Sequence, residues 1–100
     1  MAAFISIIGN PQIEGGDNRF SVDGCTSKRI WGGPNLYKLK TGKHTVVITS
    51  ANGEQWSVEA DLSWDKLLTI KPQMSGSAIS GVQYKIEDMP PMMGWAASKL

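Results

Sequence analysis

The stretch that decides the fold runs from Gly42 to Leu62 and reads Gly-Lys-His-Thr-Val-Val-Ile-Thr-Ser-Ala-Asn-Gly-Glu-Gln-Trp-Ser-Val-Glu-Ala-Asp-Leu. Asn52-Gly53 separates two runs that are rich in β-branched and aromatic residues. Asn-Gly is the dipeptide that best tolerates the two positive φ angles of a type I′ turn. The stretch therefore predicts a β-hairpin that closes on a two-residue loop.

Counting outward from that loop fixes the predicted register of the hairpin. It sets Val47 opposite Val58 on one face and His44 opposite Asp61 on the other. Five residues of the two arms then form the predicted core face: Val47, Trp56, Val58, Ala60 and Leu62. A cross-strand pair of His44 with Asp61 favours the charged imidazolium and explains the single histidine without catalysis. A metal ligand or a general base is the less favoured interpretation of His44.

Similar short runs continue along the rest of the chain and predict further strands at residues 4–8, 19–24, 36–40, 66–71 and 79–86. A turn is predicted at Asp23-Gly24 after the second of these strands. Pro72 is expected to end the strand at residues 66–71, and Gly81 is expected to mark a bulge. No helical period is present. The sequence therefore predicts an all-β fold, a single small β-sandwich of about seven short, mostly antiparallel strands.

The domain division follows from length and composition. A chain of 100 residues with 41% hydrophobic residues has the material for one core. We expect residues 1–88 to form the sandwich and residues 89–100 to form an apolar C-terminal tail. Pro90-Pro91 prevents regular structure in this tail. The tail therefore either folds back over an open core edge or acts as a peptide that docks on a partner.

Two regions carry residue types that suit recognition. Lys28 and Arg29 stand next to Trp31 in a segment rich in turn residues, and Tyr37 follows on the next predicted strand. The alternative is that Ile30 and Trp31 close one end of the core while the two cations face solvent. In the tail, adaptable methionines accompany an aromatic anchor, and the candidate binding residues there are Met92, Met93 and Trp95.

Several function classes lack support in the sequence. The net charge of +1 gives no general attraction to nucleic acid or to an anionic membrane, and the apolar run near the N-terminus is too short to span one. Cys25 is the single cysteine and has no partner for a disulfide. No phosphate-binding glycine loop and no metal-ligand cluster is present. We expect no enzyme activity, no metal and no cofactor.

The location is expected to be cytoplasmic, because no signal peptide is evident at the N-terminus. Ser98-Lys99-Leu100 matches the tripeptide that directs proteins to peroxisomes, which would apply only in a eukaryote.

The segment from residue 20 to residue 71 resembles the PEGA domain, a small β-sandwich repeat. Phe20-Ser21-Val22-Asp23-Gly24 is similar to the opening strand and turn of that family, Gly33-Pro34 to its later turn, and the run from Leu36 to Ile48 to a segment with a glycine-centred turn. At the tetrapeptide that names the family, this chain reads Lys40-Thr41-Gly42-Lys43 and retains only the glycine. The resemblance implies a non-catalytic module with a structural or binding role.

These observations favour a non-enzymatic binding or structural module whose partner is another protein. One alternative is carbohydrate binding by aromatic platforms, with Trp31, Tyr37, Trp56 and Trp64 as the candidates. A further and less favoured alternative is single-stranded nucleic acid, which would need a basic groove with stacking aromatics. Its candidates are Lys28, Arg29, Trp31, Tyr37, Lys38 and Lys40. The sequence does not define the oligomeric state.

Overall fold

The chain forms two β-sheets that pack face to face, as seen in a computed structural model that describes residues 2–91 and 93–100. The strands of this described part are β1 (Ala3–Gly9), β2 (Arg19–Val22), β3 (Lys28–Arg29), β4 (Gly33–Leu39), β5 (Gly42–Thr49), β6 (Gln55–Leu62), β7 (Lys66–Ser75), β8 (Ala78–Asp88) and β9 (Ser98–Lys99). Two short 3₁₀ segments, Pro11–Gly15 and Gly94–Ala96, complete the regular structure. The predicted all-β sandwich is confirmed.

One sheet has five strands in the order β8-β7-β1-β4-β9, and the other has four in the order β3-β2-β5-β6. Most neighbours are antiparallel, whereas β1 pairs with β7, and β4 with β9, in parallel. Among the described residues, no helix is long and apolar enough to cross a membrane.

The core lies between the sheets and is built from the alternate residues that face inward on each strand. Ile5 and Ile7 of β1 and Leu68 and Ile70 of β7 supply the five-stranded side, and all four are fully buried. The four-stranded side is supplied by Phe20, Val22, Val46, Ile48, Val58, Ala60 and Leu62. Full burial of one such large side chain stabilises the fold by about 1.5–3 kcal/mol.

The β5–β6 hairpin forms where it is predicted, but its loop is longer. The Gly53 N–H donates to the Ser50 carbonyl at 2.9 Å, and the Ser50 N–H donates to the Glu54 carbonyl at 2.8 Å. Gly53 has a φ of 91°, whereas Asn52 is not among the positive-φ residues. This is a three-residue loop in which a left-handed glycine follows a tight turn, so the predicted two-residue type I′ turn is wrong.

The extra loop residue shifts the register by one and exchanges the two faces of β5. Val46 lies opposite Val58, and Ile48 lies opposite Trp56. The β6 part of the predicted core face is correct, with Val58, Ala60 and Leu62 buried and Trp56 packed against the core. Val47 is wrong as a core residue, because a slip of one residue turns every side chain of a strand to its other face.

Pro72 does not end its strand. β7 continues to Ser75, and Pro72 lies opposite Val82 of β8. β1 pairs with β7 only as far as Ile70. On that side no strand lies beside Pro72 to accept the hydrogen bond that a proline cannot donate. The bulge predicted at Gly81 is confirmed, because the register shifts where Gln73–Met74 face this part of β8.

The segment after β8 crosses the outer face of the five-stranded sheet, which is the face directed away from the core. Met89 is buried there against Phe4 and Leu67, and Ala97 packs against the same cluster. The chain then adds β9 beside β4, with Ser98 opposite Tyr37. Met89 and Ala97 of the tail thus pack on the domain's own sheet.

One buried amide fastens three loops at the end of the sandwich. The Asn18 side chain donates to the carbonyls of Ile13 and Ser77, at 3.1 and 2.8 Å. Its oxygen accepts the N–H groups of Ala51 and Ile79, at 2.9 and 3.3 Å. Because Ala51 and Ile79 belong to hairpins of different sheets, this amide fixes how the sheets meet.

We predict that Asn18→Ala lowers the free energy of unfolding by about 2–4 kcal/mol, because it leaves buried donors and acceptors without partners. Urea denaturation followed by far-ultraviolet circular dichroism measures the loss. Asn52→Ala is the matched control in the exposed hairpin loop and should cost less than about 1 kcal/mol. Equal losses in the two variants would contradict the role of Asn18.

Candidate functional site

An exposed tryptophan stands beside a buried isoleucine at the loop end that Asn18 organises. Ile30 is fully buried and donates its N–H to the Asn18 carbonyl at 2.8 Å, whereas the next residue, Trp31, is 51% exposed. The sequence left two interpretations of this segment, recognition and closure of the core, and each of them applies to a different residue. Ile30 closes the core, and Trp31 presents its ring to solvent.

The main chain of Trp31 is held rigidly. The Asn35 side chain accepts the Trp31 N–H at 3.2 Å and donates to the Trp31 carbonyl at 2.9 Å. The same amide donates to the Ile7 carbonyl at 2.7 Å, which ties the loop to β1. Gly9 passes so close that a Cβ there would lie 2.5 Å from the Trp31 oxygen. Little conformational freedom therefore remains to be lost when this loop binds a partner.

Arg29 lies against the Trp31 ring, with its guanidinium carbon 5.0 Å from the ring centroid, which is a cation–π contact. Its Nη2 donates to the carbonyls of Glu14 and Gly16, at 3.1 and 3.3 Å. Its buried Nε has no hydrogen-bond partner within the described residues. Glu14 completes the surroundings, because its carboxylate lies against the main chain of Gly32. We call Glu14, Arg29 and Trp31 the Trp31 surface.

Two of the predicted binding residues lie away from this surface. Lys28 is exposed on the edge strand β3 opposite Phe20, and it borders a groove with Val22 and Leu100. Tyr37 faces the core, where its ring packs 5.4 Å from the Phe20 ring. Tyr37 is therefore partly buried, and its ring belongs to the packing between the sheets.

The tail carries a second exposed apolar surface. Trp95 is 82% exposed, and Met93 is also exposed. Met93 borders a shallow groove of about 350 Å³ that Pro34 and Leu36 of β4 also line. The third predicted residue of this group, Met92, lies outside the described residues.

The remaining tryptophans do not extend either surface. Trp56 packs against the core, and Trp64 is exposed in the connection between β6 and β7. The residue after Trp64 donates its N–H to the Ala2 carbonyl, at the start of β1, whereas Trp31 lies by Gly9 at the end of that strand. Trp31 and Trp64 therefore stand at opposite ends of the sandwich.

Sequence reasoning missed the residues that hold Trp31 in place. Asn35 and Glu14 gave no signal of their own, because each acts through partners that are distant in the sequence. The one available sign was the run Gly32-Gly33-Pro34-Asn35, which is typical of a tight connection stabilised by an Asn side chain.

The predicted pair of His44 with Asp61 is wrong. His44 Nδ1 lies 2.6 Å from Asp23 Oδ2, and Nε2 lies 2.6 Å from the Lys40 carbonyl oxygen. Asp61 stands opposite Lys43, because of the one-residue register shift in the hairpin. Only 11% of the His44 side chain is exposed, so the ring closes this end of the core.

Both ring nitrogens of His44 face acceptors, so the imidazolium is the form that satisfies them. Burial by itself lowers the pKa of His44, but hydrogen bonds from the ring to Asp23 and to the Lys40 carbonyl outweigh it and raise the pKa. Burial likewise opposes ionisation of Asp23, but the Thr45 N–H and the His44 ring lower its pKa. The pair is thus a structural ion pair.

Nothing in the described residues brings three or more His, Cys, Asp or Glu side chains together as a metal site. Cys25 is a free, exposed thiol. Comparison with known proteins found no matching family model, no similar curated protein and no similar solved structure. The class that the fold defines is a small two-sheet β-sandwich, and its most distinctive surface is the clamped Trp31.

We predict that Asp23→Asn lowers the pKa of His44, because it removes the carboxylate that stabilises the imidazolium. An NMR titration of the single histidine measures this pKa. Asp61→Asn is the matched control and should leave it unchanged. A drop with Asp61→Asn instead would restore the pairing that the sequence predicted.

The same pair predicts how stability changes with pH. His44 has a raised pKa, so its contribution is complete below its ordinary value of 6.5 and is lost as the pH rises through the pKa of the folded state. Asp23 has a lowered pKa, so its contribution is complete above 3.8 and is lost as the pH falls. The difference in unfolding free energy between wild type and Asp23→Asn should therefore be largest between these values and shrink in alkali.

Proposed function

We propose that this domain is a non-enzymatic binding module that holds another protein chain at the Trp31 surface. The observation that carries the proposal is the clamped loop, in which Asn35 fixes the main chain of a tryptophan whose ring is half exposed. Folding alone favours the burial of so large an apolar ring, and an exposed ring on a rigid loop suits an interface.

The residue types agree with this role. Tryptophan and arginine are the side chains most enriched among interface residues whose truncation costs the most affinity. No described residue pairs with the buried Nε of Arg29, and a buried polar group without a partner costs about 1–3 kcal/mol. Residues that make the fold less stable are expected at binding sites, where the cost serves function. Arg29 would serve binding by supporting the Trp31 ring.

The resemblance of residues 20–71 to the PEGA domain supports the non-enzymatic part of the proposal. Three turn glycines in the segments that carry it, Gly24, Gly33 and Gly42, have positive φ angles of 74°, 83° and 127°. These are the conformations in which a glycine is preferred to other residues, so the matched turns have a physical basis. A non-catalytic role is what this family would imply.

Carbohydrate binding is the second candidate, and the exposure of Trp31, Trp64 and Trp95 favours it. Against it, Trp31 and Trp64 stand at opposite ends of the sandwich and provide no shared platform. Single-stranded nucleic acid is disfavoured because the Tyr37 ring packs against Phe20 on the core side and so does not stack beside Trp31. The experiment below therefore also tests glycans and single-stranded nucleic acid as ligands.

The test is a selection of random dodecapeptides on immobilised wild-type domain, followed by calorimetry with the enriched peptides. We expect Trp31→Ala to weaken their binding by roughly thirtyfold, as for an interface hot spot. Trp64→Ala is the matched control, since it removes a comparably exposed tryptophan at the other end of the sandwich, and it should leave binding unchanged.

Two results would overturn the proposal. One is that no peptide is enriched, and the other is that enriched peptides bind Trp31→Ala as tightly as wild type. A glycan array and a single-stranded oligonucleotide, read by tryptophan fluorescence, complete the comparison. A response to either that depends on Trp31, without peptide binding, would replace the protein partner with that ligand class.

A further inference from the structure

The last strand before the tail, β8, leaves one of its sides open. It is the end strand of the five-stranded sheet, it spans the 11 residues from Ala78 to Asp88, and β7 is its one partner among the described strands. A strand edge of this length presents a row of N–H and C=O groups that can pair with another chain.

Two large apolar side chains mark this edge. Tyr84 and Ile86 are 54% and 47% exposed, although they lie opposite Ile70 and Leu68, which are fully buried. They therefore belong to the inward face of the sheet, at a position that the four-stranded sheet does not cover. Adjacent exposed apolar residues on an open edge typically indicate an interaction surface.

The other sheet edges differ from β8. The end strands β9 and β3 have two residues each, which is too short to template pairing. The remaining edge, β6, has eight residues, but the face directed away from the core carries Glu59 and Asp61 and no cation. A second copy on β6 would bring four carboxylates onto one face, whereas β8 carries both Lys85 and Glu87.

We propose that β8 is a self-association edge, at which it pairs in antiparallel fashion with β8 of a second copy of this chain, with Ile86 opposite Ile86. Residues 84–88 of each copy face each other in this register, and the two five-stranded sheets join there into one ten-stranded sheet. The exposed Tyr84 and Ile86 of each copy lie together on its core side, where each shields the other from water.

Charge complementarity favours this register over one centred on Lys85. With Ile86 on the two-fold axis, each Lys85 stands opposite Glu87 of the other copy, and each Tyr84 stands opposite Asp88. Within one chain Lys85 already lies 3.4 Å from Glu87, and Asp88 pairs with Lys66. The second copy adds a further partner to each of these groups, because opposite charges attract across strands and a tyrosine hydroxyl donates to a carboxylate. Centring the pairing on Lys85 would instead place two lysines directly opposite each other, which is destabilising.

This proposal is independent of the Trp31 surface. β8 and β4 are separated by β7 and β1 in the sheet, and Trp31 precedes β4. Failure of self-association would therefore leave the proposed peptide binding intact, and the reverse also holds.

The test measures the dimer dissociation constant by sedimentation equilibrium for wild type and two charge variants. Lys85→Glu and Glu87→Lys should each weaken the dimer roughly tenfold or more, because each turns two attractive cross-strand pairs into repulsive ones. An equimolar mixture of the two variants should dimerise as well as wild type, because glutamates of one chain then face lysines of the other. Lys71→Glu is the matched control, with the same charge change on β7, and should have no effect.

Three outcomes would overturn the proposal. The first is a wild-type chain that stays monomeric up to millimolar concentration. The second is a dimer that both charge variants retain, which would require another register or another surface. The third is a mixture that does not recover. Circular dichroism checks that each variant is folded, and Ile86→Lys, which places a charge on the two-fold axis, should abolish the wild-type dimer.

Discussion

The buried amide of Asn18 is the contact on which the arrangement of the two sheets depends. Apolar packing between sheets is not directional and tolerates some sliding, whereas four hydrogen bonds to one fixed amide do not. Because these bonds reach the loop of the β5–β6 hairpin and the turn of the β7–β8 hairpin, they set where the end of each sheet lies. Satisfied buried polar groups of this kind define a single packing arrangement.

The Trp31 surface is held by the same residue, but through the main-chain carbonyl of Asn18 and not through its side chain. The Asn18 carbonyl holds the Ile30 N–H, which places Ile30 in the core and leaves the adjacent Trp31 to face outward. Asn35 then fixes the turn that follows. A main-chain hydrogen bond to Asn18 at one end of the loop and the Asn35 side-chain amide at the other thus convert a glycine-rich connection, normally mobile, into a rigid support for an exposed ring.

Local patterns were enough to predict the all-β class, the hairpin at Gly42–Leu62 and the β6 core face, because alternation and turn residues act within a few positions. They did not set the register, since Asn-Gly also suits a three-residue loop with a left-handed glycine. The two-residue turn with two positive φ angles, 52° and 74°, occurs instead at Asp23-Gly24. Pairings of residues far apart in sequence, such as His44 with Asp23 and Tyr37 with Phe20, follow from that register and from the sheet order, which local patterns do not encode.

Self-association through β8 would offset the weak binding that a single Trp31 surface can provide. A peptide that contacts one tryptophan on a small loop buries little area, and interfaces of that size are weak. Pairing of β8 with a second copy would place two Trp31 surfaces in one particle, so that a partner with two binding segments meets the second surface at a high effective concentration. Such a gain needs no additional contact, only a fixed spacing between the surfaces. A continuous sheet supplies fixed spacing better than a flexible linker does, which makes an open edge strand useful to a domain whose recognition surface is small.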